Sequence, residues 1–167
     1  MDIKLAYGSS SSLTCTLASL ASNATWVTGR ESDAVDNTTN KYLDYLLAGK
    51  ITVGTTPTIN TEIRVYVVAI CNDTPTWPDV FDGTDSDETV TSAGVRDGFA
   101  KLAAVLMVDA TTSNRTYPFG PVSVAALFGG VLPKKFSVFV THNTGVNLNS
   151  TGSNHSIDVT PVYQTAA

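Results

Sequence analysis

The chain is short of charge, of cysteine and of histidine, and each shortage closes off a class of chemistry. Only 15% of its 167 residues are Asp, Glu, Lys or Arg, against about 25% in an ordinary soluble domain. The ten basic residues are scattered, the densest spot being Lys134-Lys135, and the net charge is −5. Nucleic-acid binders display a basic patch or stripe, so no nucleic-acid partner is expected. The two cysteines, Cys15 and Cys71, form no CxxC pair. They read as small buried strand residues kept reduced, able to join only if the fold brings them within about 7 Å. Long apolar runs are also missing. The longest, "VSVAALFGGVL" at 122–132, is broken by two glycines, and a membrane-spanning helix needs about 18 apolar residues. The start, "MDIKLAYGSSSS", lacks the charged-then-apolar layout of a secretory signal. A protein made in the cytoplasm, with no membrane partner, is the expectation. Asn-x-Ser/Thr triplets such as "NAT" at 23 then carry no meaning for glycosylation.

What the chain does have is Thr, Ser and Asn, which supply the missing polarity, and a 43% apolar share that suffices for one core. Threonine favours strands because its branched side chain fits a pleated surface. "SLTCTLASL" (12–20) sets Leu13, Cys15 and Leu17 on one face, the alternation of a half-buried strand. "ATWVTG" (24–29) is a short strand or turn, and "RESDAVDNTTN" a polar loop. "KYLDYLLAGKITVGTTP" (41–57) fits either period, but Gly49 and the β-branched "ITV" favour a strand bent or bulged at the glycine. "EIRVYVVAIC" (62–71) is the strongest strand, with Ile63, Val65, Val67 and Ala69 facing one way. Residues 93–112 fit a helix through Val95, Phe99, Leu102 and Leu106, yet Gly94, Gly98 and the ending "VLMVD" favour a strand. "VSVAALFGG" (122–130) is a strand or one short helix, while 134–143 and 155–163 alternate cleanly. Seven or eight short strands separated by turns make an all-β sandwich or barrel. No repeat and no second domain are visible. Residues 1–12 read as an N-terminal arm and 13–167 as the β-sandwich domain.

Both histidines lie in "THNTGVNLNSTGSNHSIDVTPVY" (141–163). If its two strands form a hairpin, matching their apolar faces sets Val140 opposite Ile157 and Val138 opposite Val159, because a one-residue slip turns the faces outward. That register places His142 opposite His155 at the loop mouth. Two imidazoles do not make a zinc site, which takes three or four protein ligands, and neither cysteine has supporting spacing. There is no GxSxG and no Cys–His signature around either cysteine. Glycoside hydrolysis needs two carboxylates across a cleft, whereas Asp82, Asp85, Asp87 and Glu88 crowd into the long acidic loop at 72–92. The stretch "DGTDSDE" offers oxygens to calcium but departs from the EF-hand pattern; a solvated acidic loop is the plainer reading. Neither an enzyme nor a cofactor is expected.

The runs "NTTNKYLDYLLAGKITVGTTPT", "PTWPDVFDGTDSDETVTS" and "RTYPFGPVSVAALFGGVLPKKFSVFVTHNTGVNLNSTGSNHSIDVTPVY" resemble the capsid decoration, or cement, proteins of tailed bacteriophages, over about residues 10–163. The resemblance rests on the cast of the segments, with no diagnostic motif. It implies a jelly-roll-like antiparallel sandwich on the capsid surface of a virion. It implies a structural protein that clamps neighbouring capsomers, with the major capsid protein as partner and a homotrimer as its usual assembly. Its N-terminal arm would become ordered by docking on the shell. Trp77 and Phe81 in the long loop are candidate partner contacts, since aromatics anchor interfaces. Two rival readings remain. One is a tail or tail-tube subunit; the other is a sugar-binding module in which Trp77 and Tyr117 stack on a glycan.

Overall fold

A computed structural model describes residues 2–72, 74 and 76–166. Eleven strands follow in chain order: β1 (Ile3–Tyr7), β2 (Ser11–Ser12), β3 (Thr28–Glu31), β4 (Val35–Asp36), β5 (Asp44–Thr52), β6 (Thr61–Ile70), β7 (Asp87–Thr89), β8 (Lys101–Val108), β9 (Thr116–Ser123), β10 (Lys135–His142) and β11 (Ser156–Ala166). Two short helices interrupt them, α1 (Ala93–Phe99) and α2 (Val124–Leu127). The strands form two antiparallel sheets, ordered β1-β11-β5-β9 and β7-β3-β10-β6-β8, with β2 on β11 and β4 on β10. If β3 and β4 are taken as one interrupted strand, the pairings are nested. First meets last (β1 with β11), then β3/β4 meets β10, β5 meets β9 and β6 meets β8. Pairing of β11 with β5 and of β10 with β6 then assembles the two sheets. This is a long hairpin wound on itself, the strand order of a jelly roll. The expected all-β sandwich is present in this form.

The core lies between the sheets. Leu47, Ile51 and Val53 from one side meet Ile63, Val65, Val67, Phe136, Val138 and Val140 from the other, all inaccessible to solvent. Alternation in β6 is as expected, with Ile63, Val65 and Val67 inward and Ala69 packed against them. Its other face is buried too. The acidic loop and α1 fold over the outside of that sheet, where Phe81, Val90 and Ala100 close on Tyr66, Val68 and Phe139. A strand covered on both faces reads as a continuous apolar run, which explains "VYVVAI". The helix is held there by Arg96, 2% exposed, which donates to the Trp26 carbonyl and stands 4.6 Å from the Tyr66 ring.

Several local expectations are corrected. β10 and β11 belong to different sheets, so the last hairpin does not exist. Val140 pairs with Val65 and Arg30, and Ile157 pairs with Gly49. Both apolar faces do enter one core, but from opposite sides. Residues 12–20 keep their alternation without a ladder beyond β2. Leu13 donates to the Ile157 carbonyl in one sheet, while the Thr14 carbonyl accepts from Asp33 beside the other. The segment therefore crosses between the sheets and cannot pair along either. The polar "RESDAVD" is no mere loop, since it carries parts of β3 and all of β4; Glu31 and Ser32 are buried and hydrogen-bonded inside, while Asp33 and Asp36 are exposed. The supposed N-terminal arm is in part an edge strand, β1, paired along its length with β11. Residues 93–112 divide, the first part being helix and the second strand β8. Ser92 caps the helix by accepting from the Val95 amide at 3.1 Å. Gly49 does mark a bulge, with the β5–β9 register shifting between Leu47 and Gly49. A Cβ there would stand 2.2 Å from the Ser156 carbonyl oxygen and 2.9 Å from the Phe119 ring.

Candidate functional site

Of the three candidate contact residues, Phe81 is corrected outright. It is 4% exposed and meets Phe139 and Phe99 edge-on, with centroids 5.2 and 5.6 Å away. It anchors the acidic loop and offers no face to a partner. Trp77 is half-buried over the turn at Gly83, whose φ of +82° and 2.8 Å approach to the indole admit no side chain. Tyr117 is half-buried on β9, in the other sheet, and donates to Asp109 Oδ1 at 2.9 Å. The structure does not bring Trp77 and Tyr117 together.

The loop acids are engaged one by one. Asp85 accepts from Arg30 Nε at 2.6 Å and from the amide and hydroxyl of Thr16 at 2.9 and 2.6 Å. Burial opposes its charge, but these donors prevail and hold its carboxyl below the ordinary value. Asp87 also meets Arg30, at 3.1 Å. Asp82 accepts from the amide and hydroxyl of Thr84, and Glu88 from Ser86. Among the described residues no group of three or more His, Cys, Asp or Glu is placed to hold a metal ion.

The residue that sequence reasoning missed is Glu31. Its side chain is fully buried on β3 and accepts from the Ser137 hydroxyl at 2.7 Å and the amides of Gly83 and Asp82 at 3.0 and 3.2 Å. Burial raises its pKa, and those three donors work against the rise. It ties the acidic loop to the central strand β10. No signal in "RESDAVD" separates it from a surface acid.

His142, at the end of β10, and His155, just before β11, are separate clamps. His142 is fully buried, with Nε2 donating to the Leu20 carbonyl and Nδ1 3.0 Å from the Thr144 hydroxyl. His155 Nδ1 accepts the Thr52 amide at 3.3 Å, and its Nε2 donates to the Asn149 carbonyl at 2.9 Å. Together they fasten both ends of the crossover between β10 and β11. Burial lowers both pKa values, that of His142 to about 4. The cysteines are unpaired. Neither is the buried strand residue expected: Cys15 is partly buried and lies outside the strands, and Cys71 lies just beyond β6 and is exposed.

Shallow cavities lie among the described residues. One, of about 420 Å³, is bordered by Lys41, Tyr42, Pro133 and Lys134; another, of about 330 Å³, by Thr55, Asn114, Asn147 and Asn149. Neither is lined by a carboxylate, histidine or cysteine. Exposed apolar residues such as Val131 and Ile59 stand singly, but two strands carry runs of them. Ile3, Leu5 and Tyr7 on β1 are 59–69% exposed, and Leu102, Val105 and Met107 on β8 are 44–49% exposed. Neither stripe was legible: the sequence reads "IKLAY" as part of an arm and runs the alternation of β8 through Leu102, Ala104, Leu106 and Val108, whereas the bulge opposite Val65 and Tyr66 puts Leu102 in step with Val105 and Met107. No described helix is long and apolar enough to cross a membrane. Comparison with family models, curated proteins and solved structures finds no match.

Proposed function

We propose that this is a structural virion protein that decorates the outside of a tailed-phage capsid, clamping neighbouring capsomers through contact with the major capsid protein. The virion setting comes from the resemblance of the segments. The observation that supports a contact protein is the placement of its unsatisfied surface. The polar groups with chemical capacity, Glu31, His142, His155 and Asp85, are spent on internal fastening. Bare apolar side chains instead line the outer strands β1 and β8. Scattered apolar residues are normal on a surface, but stripes along strands mark interaction sites.

The test is addition of purified protein to capsids that lack it. Co-sedimentation with the shells and a higher temperature of genome release are expected. No association, with equal particle stability, would end the proposal. Density on the tail in an electron-microscopy reconstruction would replace it with the tail-subunit reading.

A further inference from the structure

We propose that β1 is a self-association edge: two copies of this chain pair antiparallel along Ile3–Tyr7 about a twofold axis at Leu5, joining their β1-β11-β5-β9 sheets into one. The argument starts from how the other outer strands are protected. Exposed edges invite strand addition, and proteins blunt them with short strands, charges, prolines and bulges. β9 carries Pro118 and Pro121. β7 has 3 residues and begins Asp87-Glu88. β8 starts at Lys101, and its ladder with β6 is bulged between Val65 and Tyr66. β1 has none of these devices beyond one charge, Lys4. It is five residues long, unbulged and free of proline.

The hydrogen-bond phase decides what its free side presents. The Gly8 amide donates to the Pro161 carbonyl at 2.9 Å, continuing the register in which Tyr7 faces Val162. Along an antiparallel strand, residues alternate between bonding to one neighbour and turning their N–H and C=O to the opposite side. Gly8, Ala6 and Lys4 therefore serve β11, while Tyr7, Leu5 and Ile3 direct their backbone groups to the open edge. These are the same three residues whose side chains are bare.

The pattern is self-complementary about Leu5. An antiparallel copy centred there sets Ile3 against Tyr7, Leu5 against Leu5 and Lys4 against Ala6. An aromatic beside a β-branched residue is a favourable cross-strand pair. Centring on Lys4 would oppose two like charges, which is unfavourable. Centring on Ala6 would leave Ile3 unpaired. The contact is isologous and so closes at two copies.

The experiment is sedimentation equilibrium of the full chain, with Leu5→Pro and Leu5→Lys variants. The wild type should give about 35 kDa, twice 17.6 kDa. Leu5→Pro removes an amide hydrogen that β11 does not use, and Leu5→Lys sets two ammonium groups at the axis. Both should sediment as single chains with unchanged circular dichroism and melting temperature. If the proline variant unfolds, the lysine variant, at a 59%-exposed position, carries the test. A single-chain wild type at about 100 µM, concentrated enough to reveal weak pairing, would overturn the inference. So would a three-chain mass, or a two-chain mass that survives Leu5→Lys.

Discussion

His142 should make the fold lose stability in mild acid, before most of the carboxylates take up protons. The ring is fully buried at the end of β10, with a carbonyl and a hydroxyl as its polar partners and no carboxylate to support a positive charge. Desolvation therefore holds its pKa at about 4, against an ordinary value of 6.5. The unfolded chain takes up this proton near pH 6.5 and the folded chain only near pH 4, so between those values the unfolded state binds more protons. Stability from this residue is complete above pH 6.5 and falls as pH drops towards 4. At about 1.36 kcal/mol per pH unit across that gap, the loss is about 3 kcal/mol, a large part of the 5–15 kcal/mol typical of a domain. The assay is urea unfolding at pH 7, 5.5 and 4.5 for the wild type and His142→Gln. Other groups contribute slopes of their own. His155 and Asp85, with lowered pKa values, act in the same direction, and Glu31, with a raised one, acts against them. The difference between the two proteins isolates His142, and the variant should lose less stability over this range. In parallel, the His142 Cε1 proton should titrate near pH 4 in the native NMR spectrum. A midpoint near 6.5, or an identical pH slope in the variant, would refute the reasoning.

Other expectations follow from single contacts. Glu31→Ala strands the Ser137 hydroxyl and the Asp82 and Gly83 amides; at about 1–3 kcal/mol for a buried group left unpaired, the net loss should be about 3 kcal/mol in urea unfolding, with new protease cleavage within residues 76–90. Gly49→Val forces a side chain into the Ser156 carbonyl and the Phe119 ring and should cost about 3 kcal/mol or more, read as a lower urea midpoint. Cys71 is exposed, whereas burial, followed by the charge of Asp85, pushes the Cys15 thiol up. A thiol reagent should therefore titrate one group quickly in the native protein and the second only after unfolding.

Alternation along the chain revealed the fold class because a sandwich buries at least one face of each strand; β11 carries that period openly and β6 on its inner face, while in β5 and β8 glycines and β-branched residues decided between strand and helix. It could not reveal which strands are neighbours. In a jelly roll, strands adjacent in sequence are commonly dealt to opposite sheets, so β10 and β11 share a core without sharing a ladder. The pairing of Val140 with Ile157 assumed that adjacent strands form a hairpin, and winding broke that assumption. Elsewhere composition misled. "RESDAVD" looks like surface, but Glu31 and Ser32 lie inside, where Glu31 takes the Ser137 hydroxyl and Ser32 accepts from the Val138 amide. Such satisfaction depends on residues a hundred positions away and leaves no local trace.

The same inversion governs the candidate site. Groups with chemical capacity turned out to be internal fasteners: His142 and His155 hold one crossover, Asp85 and the unforeseen Glu31 hold the acidic loop, and Phe81, expected to meet a partner, pins that loop to Phe139. This follows from the winding. A jelly roll must carry long connections between its sheets, their backbone amides and carbonyls need partners, and a chain poor in charge meets that need with a few buried ionisable groups. Along the β1 edge, what is left for a partner is apolar and backbone in character. On β1 the bare side chains of Ile3, Leu5 and Tyr7 coincide with the residues whose amides and carbonyls face the open edge. Two unmet demands on the same three residues are answered together by an added strand, whereas a small ligand could relieve only one of them.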